Sequence, residues 1–183
     1  MQIRMFENFF LVHIPKTGGT FIKKVLPGIS SSFKPSHETF QESVEKGLVK
    51  NKIPLSVVRN PYDWLHSWYY FEHTRGKIKK RDPNILAYKD FTTFILNKGF
   101  MKFRKSETQC QYIQGIPLEN VLHTESLNQE LEDFLKRNNV DYDFEKEPIR
   151  VNDRKPKVVW SDEMKDIVYL HYKDDFEKLG YSK

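Results

Sequence analysis

The sequence predicts an α/β fold in which a parallel central sheet is flanked by helices. Short apolar runs alternate along the chain with amphipathic segments, and each clear strand candidate runs directly into a helix. This alternation is typical of βαβ units, because parallel neighbouring strands need a crossover connection, usually a helix, between them. The chain of 183 residues fits one domain, 1–183, and its 38% of hydrophobic residues are enough to form a buried core.

The first strand and helix are predicted in residues 9–26. The run FFLVHI, 9–14, is apolar throughout and stops at Pro15. The apolar residues that follow share one helical face: Phe21, Ile22, Val25 and Leu26. Pro27 and Gly28 then end the helix.

The middle of the chain repeats this pattern. Residues 29–40 read as a loop with room for a brief strand, and 38–47 as a short helix ending at a glycine. IPLSVV, 53–58, is the second clear strand, and Pro61 suits the first position of the aromatic-rich helix that continues to residue 73.

The sequence patterns of the later elements are weaker than those of the first two strands. The polar, basic stretch 74–87 is predicted to be a mobile surface insertion, and 88–100 a helix. NVLHT, 120–124, is the third clear strand, and 145–157 is a charged loop.

Two amphipathic helices close the chain. Ser126 and Gln129 form a capping-box pattern before a helix whose buried face has four members: Leu127, Leu131, Phe134 and Leu135. Ser161 opens the last helix and Gly180 ends it.

Composition narrows the function classes. A formal net charge of +5 and a pI of about 9.1 suit an anionic ligand, but the basic residues form no long stripe, so no nucleic-acid partner is expected. One cysteine, Cys110, excludes an intrachain disulfide and favours a reducing, cytoplasmic setting. No signal peptide or apolar run near the roughly 20 residues of a membrane span is visible, and no His, Cys or carboxylate cluster has metal-ligand spacing.

The turn after the first strand has the composition of an anion site. It consists of five residues, Lys16, Thr17, Gly18, Gly19 and Thr20. Glycines let the backbone approach a ligand, the following helix offers unpaired N–H groups, and the lysine adds charge. The order differs from the nucleoside-triphosphate P-loop, in which lysine follows the glycines. The alternative is an ordinary glycine turn with a surface lysine.

A second strand–helix join, VVRNPYDWLHSWYYF (57–71), strengthens this interpretation. Arg59 ends the strand, and Ser67 lies two helical turns beyond Asn60. An arginine fork with a hydroxyl can hold a second phosphate. Because strand ends of a parallel sheet share one edge, the two joins predict a ligand with an anion at each end.

These two motifs resemble those of sulfotransferases that use 3′-phosphoadenosine 5′-phosphosulfate (PAPS). HIPKTGGT looks like their 5′-phosphosulfate loop, and VRNPYDWLHSWY like their 3′-phosphate motif. The resemblance is greatest to carbohydrate-type and bacterial sulfotransferases, and it implies a P-loop NTPase-like sulfotransferase fold. Later segments follow the family's order more weakly, and Trp64 stands where many relatives carry a basic residue.

The resemblance also implies roles. Lys16 is expected to be catalytic and to bind the 5′-phosphosulfate, with the backbone of Thr17 to Thr20 on the nonbridging oxygens. Arg59 and Ser67 are expected to bind the 3′-phosphate. His37 is expected to be the catalytic base, with Glu38 as the alternative. His13 is assigned a structural role in orienting the turn.

Five further residues are candidates for lining the adenine or closing over the cofactor: Gln109, Tyr112, Asn152, Arg154 and Lys155.

The resemblance further implies the reaction and its setting. The enzyme would move a sulfuryl group from PAPS to an acceptor hydroxyl, favouring carbohydrate or another small hydroxylated molecule, and release adenosine 3′,5′-bisphosphate (PAP) without a metal. The lack of a membrane anchor suggests a bacterial or viral source. Two other hypotheses remain: a nucleotide or small-molecule kinase, and a non-catalytic basic domain that binds nucleotide or nucleic acid.

Overall fold

Four parallel strands form the sheet in the described part of the chain, and the parallel arrangement is the one that the sequence predicted. The computed structural model describes residues 6–32, 37–74, 87–102, 108–142 and 157–183. The strands are β1 (Phe9–Val12), β2 (Ser30–Ser31), β3 (Ile53–Val58) and β4 (Val121–His123), in the spatial order β2-β1-β3-β4.

The pairing brings the carboxyl ends of the strands to one edge. Leu11 of β1 pairs with Ser31 of β2 and with Leu55 of β3, and Val58 of β3 pairs with His123 of β4. The chain segment that follows each strand therefore begins at this edge of the sheet.

Eight α-helices are present among the described residues. They are α1 (Gly19–Val25), α2 (Phe40–Glu45), α3 (Pro61–Thr74), α4 (Phe91–Leu96), α5 (Gln109–Ile113), α6 (Leu127–Arg137), α7 (Asp162–His171) and α8 (Lys173–Lys178). Short 3-10 turns lie at Gly99–Lys102, Leu118–Asn120 and Thr124–Ser126.

The described residues group into two compact units. Unit 1 holds those up to Arg59 and those from Gln109 to Tyr142, and unit 2 holds those from Asn60 to Thr108 and from Lys157 onwards. Unit 1 contains the whole sheet with α1, α2, α5 and α6.

The core of unit 1 joins the sheet to α1 and α6. Leu11 and Leu55 of the sheet are fully buried together with Ile22 of α1 and Leu131 of α6. The helical faces that supply this core are those which the apolar spacing predicted.

Unit 2 is built around aromatic side chains. Helix α7 packs against α3 and α4. Tyr69 of α3 lies 5.3 Å from both Phe91 and Phe94 of α4 between ring centroids. Trp64 is 3% exposed and packs edge-on against Tyr172, 5.7 Å between centroids, so it serves as core.

Two predicted helices differ in extent. The helix predicted at 88–100 begins at Phe91, where the Asp90 carboxylate accepts a hydrogen bond from the Thr93 N–H at 2.7 Å, and ends at Leu96. Lys98 has a positive φ of 54°, which a continuing helix does not allow. The single last helix is wrong: it divides into α7 and α8 at Tyr172.

The capping box predicted at Ser126 is also wrong. Ser126 makes no side-chain cap to α6, and its hydroxyl donates instead to Glu130. A capping box does occur at α2, where Thr39 and Glu42 bond reciprocally.

Some expectations fall outside the described residues. The insertion predicted at 74–87 lies outside them except at its two ends, and so does the charged loop at 145–157 except at Lys157. Among the helices that are described, none has the length and apolar character to cross a membrane.

Candidate functional site

The candidate site is the carboxyl edge of the sheet in unit 1. Lys16 follows β1, His37 follows β2, Arg59 follows β3, and Thr124 follows β4. The fold thus brings residues from all four strand ends to one edge of a single unit.

The loop after β1 has two residues with positive φ. Gly18 has φ 105° at the start of α1, and Lys16 has φ 71°. A lysine in this conformation is uncommon, and such strain is found preferentially where function requires a particular backbone path. Helix α1 is only seven residues long, so the backbone N–H groups of the loop and the nearby cationic side chains have to provide most of the attraction for an anion.

The hydroxyl of Thr17 points back to the segment that directly follows β1. Thr17 is 1% exposed, and its Oγ1 donates to the carbonyl of Ile14 at 2.9 Å. Thr17 can therefore contribute its backbone N–H to a ligand but not its hydroxyl proton. Thr20, in contrast, is exposed.

Thr124 joins three strand ends. Its Oγ1 lies 2.6 Å from the carbonyl oxygen of Thr17 and 2.8 Å from that of Val58, and its single proton is shared between these two acceptors. The hydroxyl thereby links the loop after β1 to the end of β3. No sequence pattern marked Thr124, because it was predicted to be the last residue of the strand 120–124, whereas β4 ends at His123.

Arg59 reaches the loop after β1. Its Nη1 donates to the carbonyl of Lys16 at 3.4 Å. Its Nε is buried and has no hydrogen-bond partner among the described residues. A buried N–H of a cation without an acceptor calls for an explanation, and an anionic group bound at this edge would be one.

The backbone of Arg59 is held by Gln109. The side chain of Gln109 is fully buried, accepts a hydrogen bond from the Arg59 N–H at 2.8 Å, and donates one to the Arg59 carbonyl at 2.7 Å. Gln109 thus positions Arg59. No local sequence signal could reveal this contact, because the two residues are 50 positions apart.

Ser67 belongs to unit 2, where it lies on α3 and is 4% exposed. Of the two residues expected to bind the 3′-phosphate, Arg59 therefore lies in unit 1 and Ser67 does not. Of the other cofactor-lining candidates, Tyr112 is 3% exposed on α5, and Asn152, Arg154 and Lys155 lie outside the described residues.

His37 and His13 form a pair. Their Nδ1 atoms are 2.8 Å apart, and their ring centroids 4.9 Å. His37 is half-buried with a positive φ of 50°. Burial lowers the pKa of His13 to about 3, with smaller contributions from His37, Lys23 and Lys16.

The position of the His13 ring explains why residue 19 is a glycine. A Cβ atom on Gly19 would lie 1.7 Å from Cδ2 and 2.4 Å from Nε2 of the His13 ring. The ring therefore occupies the space in which any side chain at position 19 would begin. The N–H of His13 also donates to the Ser32 hydroxyl at 2.9 Å, so His13 connects the loops after β1 and β2.

Glu38, the alternative base, is differently placed. Its side chain is nearly buried and pairs with Lys46, and this hydrogen bond raises the pKa of Lys46. A carboxylate held by a lysine is a weaker proton acceptor than an unpaired one. The arrangement therefore favours His37 over Glu38 as a base.

A further histidine contact lies at the end of β4. The backbone N–H of His123 donates to the Glu130 carboxylate at 2.6 Å, and the ring Nδ1 of His123 lies 3.2 Å from both carboxylate oxygens. No sequence pattern marked His123. Glu130 also accepts from Ser126, so it organises the start of α6.

The chain matches no protein-family model, no curated protein and no solved structure. Its described residues form an α/β protein with a four-stranded, all-parallel sheet flanked by helices.

Proposed function

We propose that this protein is a sulfotransferase that moves a sulfuryl group from PAPS to an acceptor hydroxyl. One observation carries the proposal: Lys16 and Arg59 follow neighbouring strands, and the Arg59 guanidinium lies against the Lys16 loop with its buried Nε unpartnered among the described residues. Two cationic residues at the ends of neighbouring strands suit a ligand with two anionic groups.

The proposed roles follow from the charges of PAPS. Lys16 would contact the 5′-phosphosulfate, where charge accumulates on the bridging oxygen as the sulfur–oxygen bond breaks. A cation at that oxygen stabilises the transition state more than the ground state. The loop N–H groups from Thr17 to Thr20 would hold the nonbridging oxygens, and Arg59 would hold the 3′-phosphate.

His37 is the proposed base. Its imidazole would take the proton of the acceptor hydroxyl while that oxygen bonds to sulfur. The bond from sulfur to the bridging oxygen breaks at the same centre, and its electron pair leaves with PAP. General base catalysis of this kind contributes about 10²–10⁴-fold.

The finer fold and the acceptor belong to the same proposal. The order of strand, lysine–glycine loop and helix fits a P-loop NTPase-like sulfotransferase fold, which the resemblance implies. A carbohydrate acceptor rests on the resemblance alone.

Calorimetric titration with PAP, ADP and ATP plus magnesium tests the proposal. We expect the wild-type protein to bind PAP without metal and to bind ADP, which lacks the 3′-phosphate, more weakly. Arg59→Ala should weaken PAP binding by at least about 10-fold, because a hydrogen bond to a charged group contributes about 1.5–3 kcal/mol, and should change ADP binding less. Lys24→Ala removes an exposed lysine of α1 and is the matched control.

Measurements of turnover distinguish the role of Lys16 from that of Arg59. Lys16→Ala should reduce sulfuryl transfer more than it reduces PAP affinity, because PAP lacks the bond whose cleavage Lys16 assists. If ATP with magnesium binds and PAP does not, the sulfotransferase assignment is refuted and the kinase becomes the better hypothesis.

A further inference from the structure

We propose that His13 is a positioning residue that holds His37 in the tautomer required of a base. The inference rests on the proposed function for its catalytic meaning, but the arrangement of protons that it describes can be measured without nucleotide or acceptor. It assigns His13 a chemical role beyond orienting the turn.

The distance between the two rings requires them to share a proton. At 2.8 Å, Nδ1 of His13 and Nδ1 of His37 are within hydrogen-bond distance. Two unprotonated nitrogens would repel each other at this separation, and two N–H groups would clash. One nitrogen therefore donates and the other accepts.

The surroundings of His13 make it the acceptor when the pair is charged. The ring is 5% exposed and lies near Lys16 and Lys23, and these effects keep the pKa of His13 far below its usual value. A proton that reaches the pair therefore resides on His37. The imidazolium of His37 then donates from Nδ1 to the neutral ring of His13.

The ring of His13 is held in the orientation that this role needs. Its Cδ2 and Nε2 edge lies against the backbone of Gly19, while Nδ1 faces His37. The His13 N–H is anchored separately on the Ser32 hydroxyl. Side-chain and backbone contacts thus direct one nitrogen of a neutral ring toward the proposed base.

The consequence concerns the other nitrogen of His37. When Nδ1–H of His37 donates to His13, Nε2 of His37 carries no proton and can accept one from a hydroxyl. In the opposite arrangement, with the proton on Nδ1 of His13, Nε2 of neutral His37 is already protonated and cannot act as a base. When His37 takes a proton at Nε2, the charged pair has His37 as donor and His13 as acceptor, so the tautomer with Nδ1–H on His37 is the one from which His37 can act as a base.

Nitrogen-15 NMR of the imidazole rings in the wild-type protein tests this directly. The chain has six histidines, and the spectra of His13→Asn and His37→Gln assign the two signals of interest. At neutral pH we expect His37 protonated on Nδ1 only and His13 protonated on Nε2 only. Protonation of His13 on Nδ1 would overturn the inference.

Two variants connect the tautomer to the reaction. In His13→Leu we expect His37 to lose its single tautomer, and kcat to fall roughly 100-fold, the lower end of the range for general base catalysis, with KM for PAPS changed less than about 2-fold. His13→Asn presents Oδ1 as an acceptor near the former Nδ1, and it should restore the tautomer and most of kcat. His73→Gln, in unit 2, is the control for loss of a histidine.

The outcomes separate this inference from the proposed function. Failure to bind PAP would refute the proposed function whatever the tautomers are. Bound PAP together with equal kcat in His13→Leu and wild type would refute the role of His13 alone. If the His13→Leu variant does not fold, the nitrogen-15 NMR of the wild-type protein still tests the inference.

Discussion

Substitution of Gly19 by alanine is the sharpest test of the packing at the sheet edge. The added Cβ would lie 1.7 Å from Cδ2 of His13, whereas nonbonded carbons prefer a separation of about 3.5–4.0 Å. The His13 ring would therefore have to move by about 2 Å. It is buried and hydrogen-bonded to His37, so this movement also disturbs the histidine pair.

The expected magnitude combines opposing effects. Overpacking costs about 1–3 kcal/mol, and loss of a hydrogen bond about 0.5–1.5 kcal/mol. Alanine gains about 0.5–1 kcal/mol over glycine within a helix. We therefore expect Gly19→Ala to lower the free energy of unfolding by about 1–3 kcal/mol. In a His13→Ala background the ring is absent, and the same substitution should be neutral or slightly stabilising.

The measurement is a double-mutant cycle of urea unfolding. All three tryptophans, Trp64, Trp68 and Trp160, belong to unit 2, so circular dichroism or amide hydrogen exchange of β1 and β3 is the better signal for unit 1. We expect a coupling free energy of about 1.5–3 kcal/mol between positions 13 and 19.

Gly47→Ala is the matched control for this cycle. Gly47 has a φ of 68° and no atom within 4 Å of an added Cβ. Its substitution should cost about 1–2 kcal/mol from backbone strain alone and should add independently to His13→Ala. A coupling below about 0.5 kcal/mol between positions 13 and 19 would refute the close approach of His13 to Gly19.

Three further predictions concern the same edge. The pKa of His13 is about 3 in the folded protein, against the ordinary histidine value of 6.5 in the unfolded chain, so the unfolded chain binds the proton more readily. This contribution to stability is complete above pH 6.5 and falls toward pH 3, by roughly 2 kcal/mol at pH 5. Urea unfolding of His13→Asn at pH 7.5 and 5 should lack that loss. Thr124→Val should lower the free energy of unfolding by about 1–3 kcal/mol, because a buried acceptor loses its donor, whereas Thr124→Ser should keep most of it; equal midpoints in urea would contradict this. Gln109→Leu removes the two hydrogen bonds that hold the backbone of Arg59 and should weaken PAP binding at least about 5-fold in calorimetry. An unchanged affinity for PAP would contradict this prediction.

Most elements of unit 1 were predictable from local patterns. The apolar run ending at Pro15, the spacing of Ile22 and Val25, and the four apolar residues of α6 each reflect a periodicity within a few residues, and the structure confirms these elements. The cap predicted at Ser126 was wrong: the Ser126 oxygen accepts no hydrogen bond from the first turn of α6, and its hydroxyl donates to Glu130. A local motif identifies groups that can bond, but not which partners they reach.

The residue types at the sheet edge could be foreseen for a simple reason. Parallel strands end at a common edge, so a lysine–glycine turn after β1 and an arginine after β3 had to lie on that edge once both strands were recognised. The sequence pattern was therefore sufficient to nominate Lys16 and Arg59.

Tertiary packing decided how these residues are held. The contact of His13 with His37 spans 24 positions, that of Gln109 with Arg59 spans 50, and that of Thr124 with Thr17 spans 107. Hydrophobic periodicity reports which face of an element is buried, but it contains no information about which side chains meet across loops. Those contacts depend on the register of the sheet and on the packing of the loops at its edge, which only the folded chain determines.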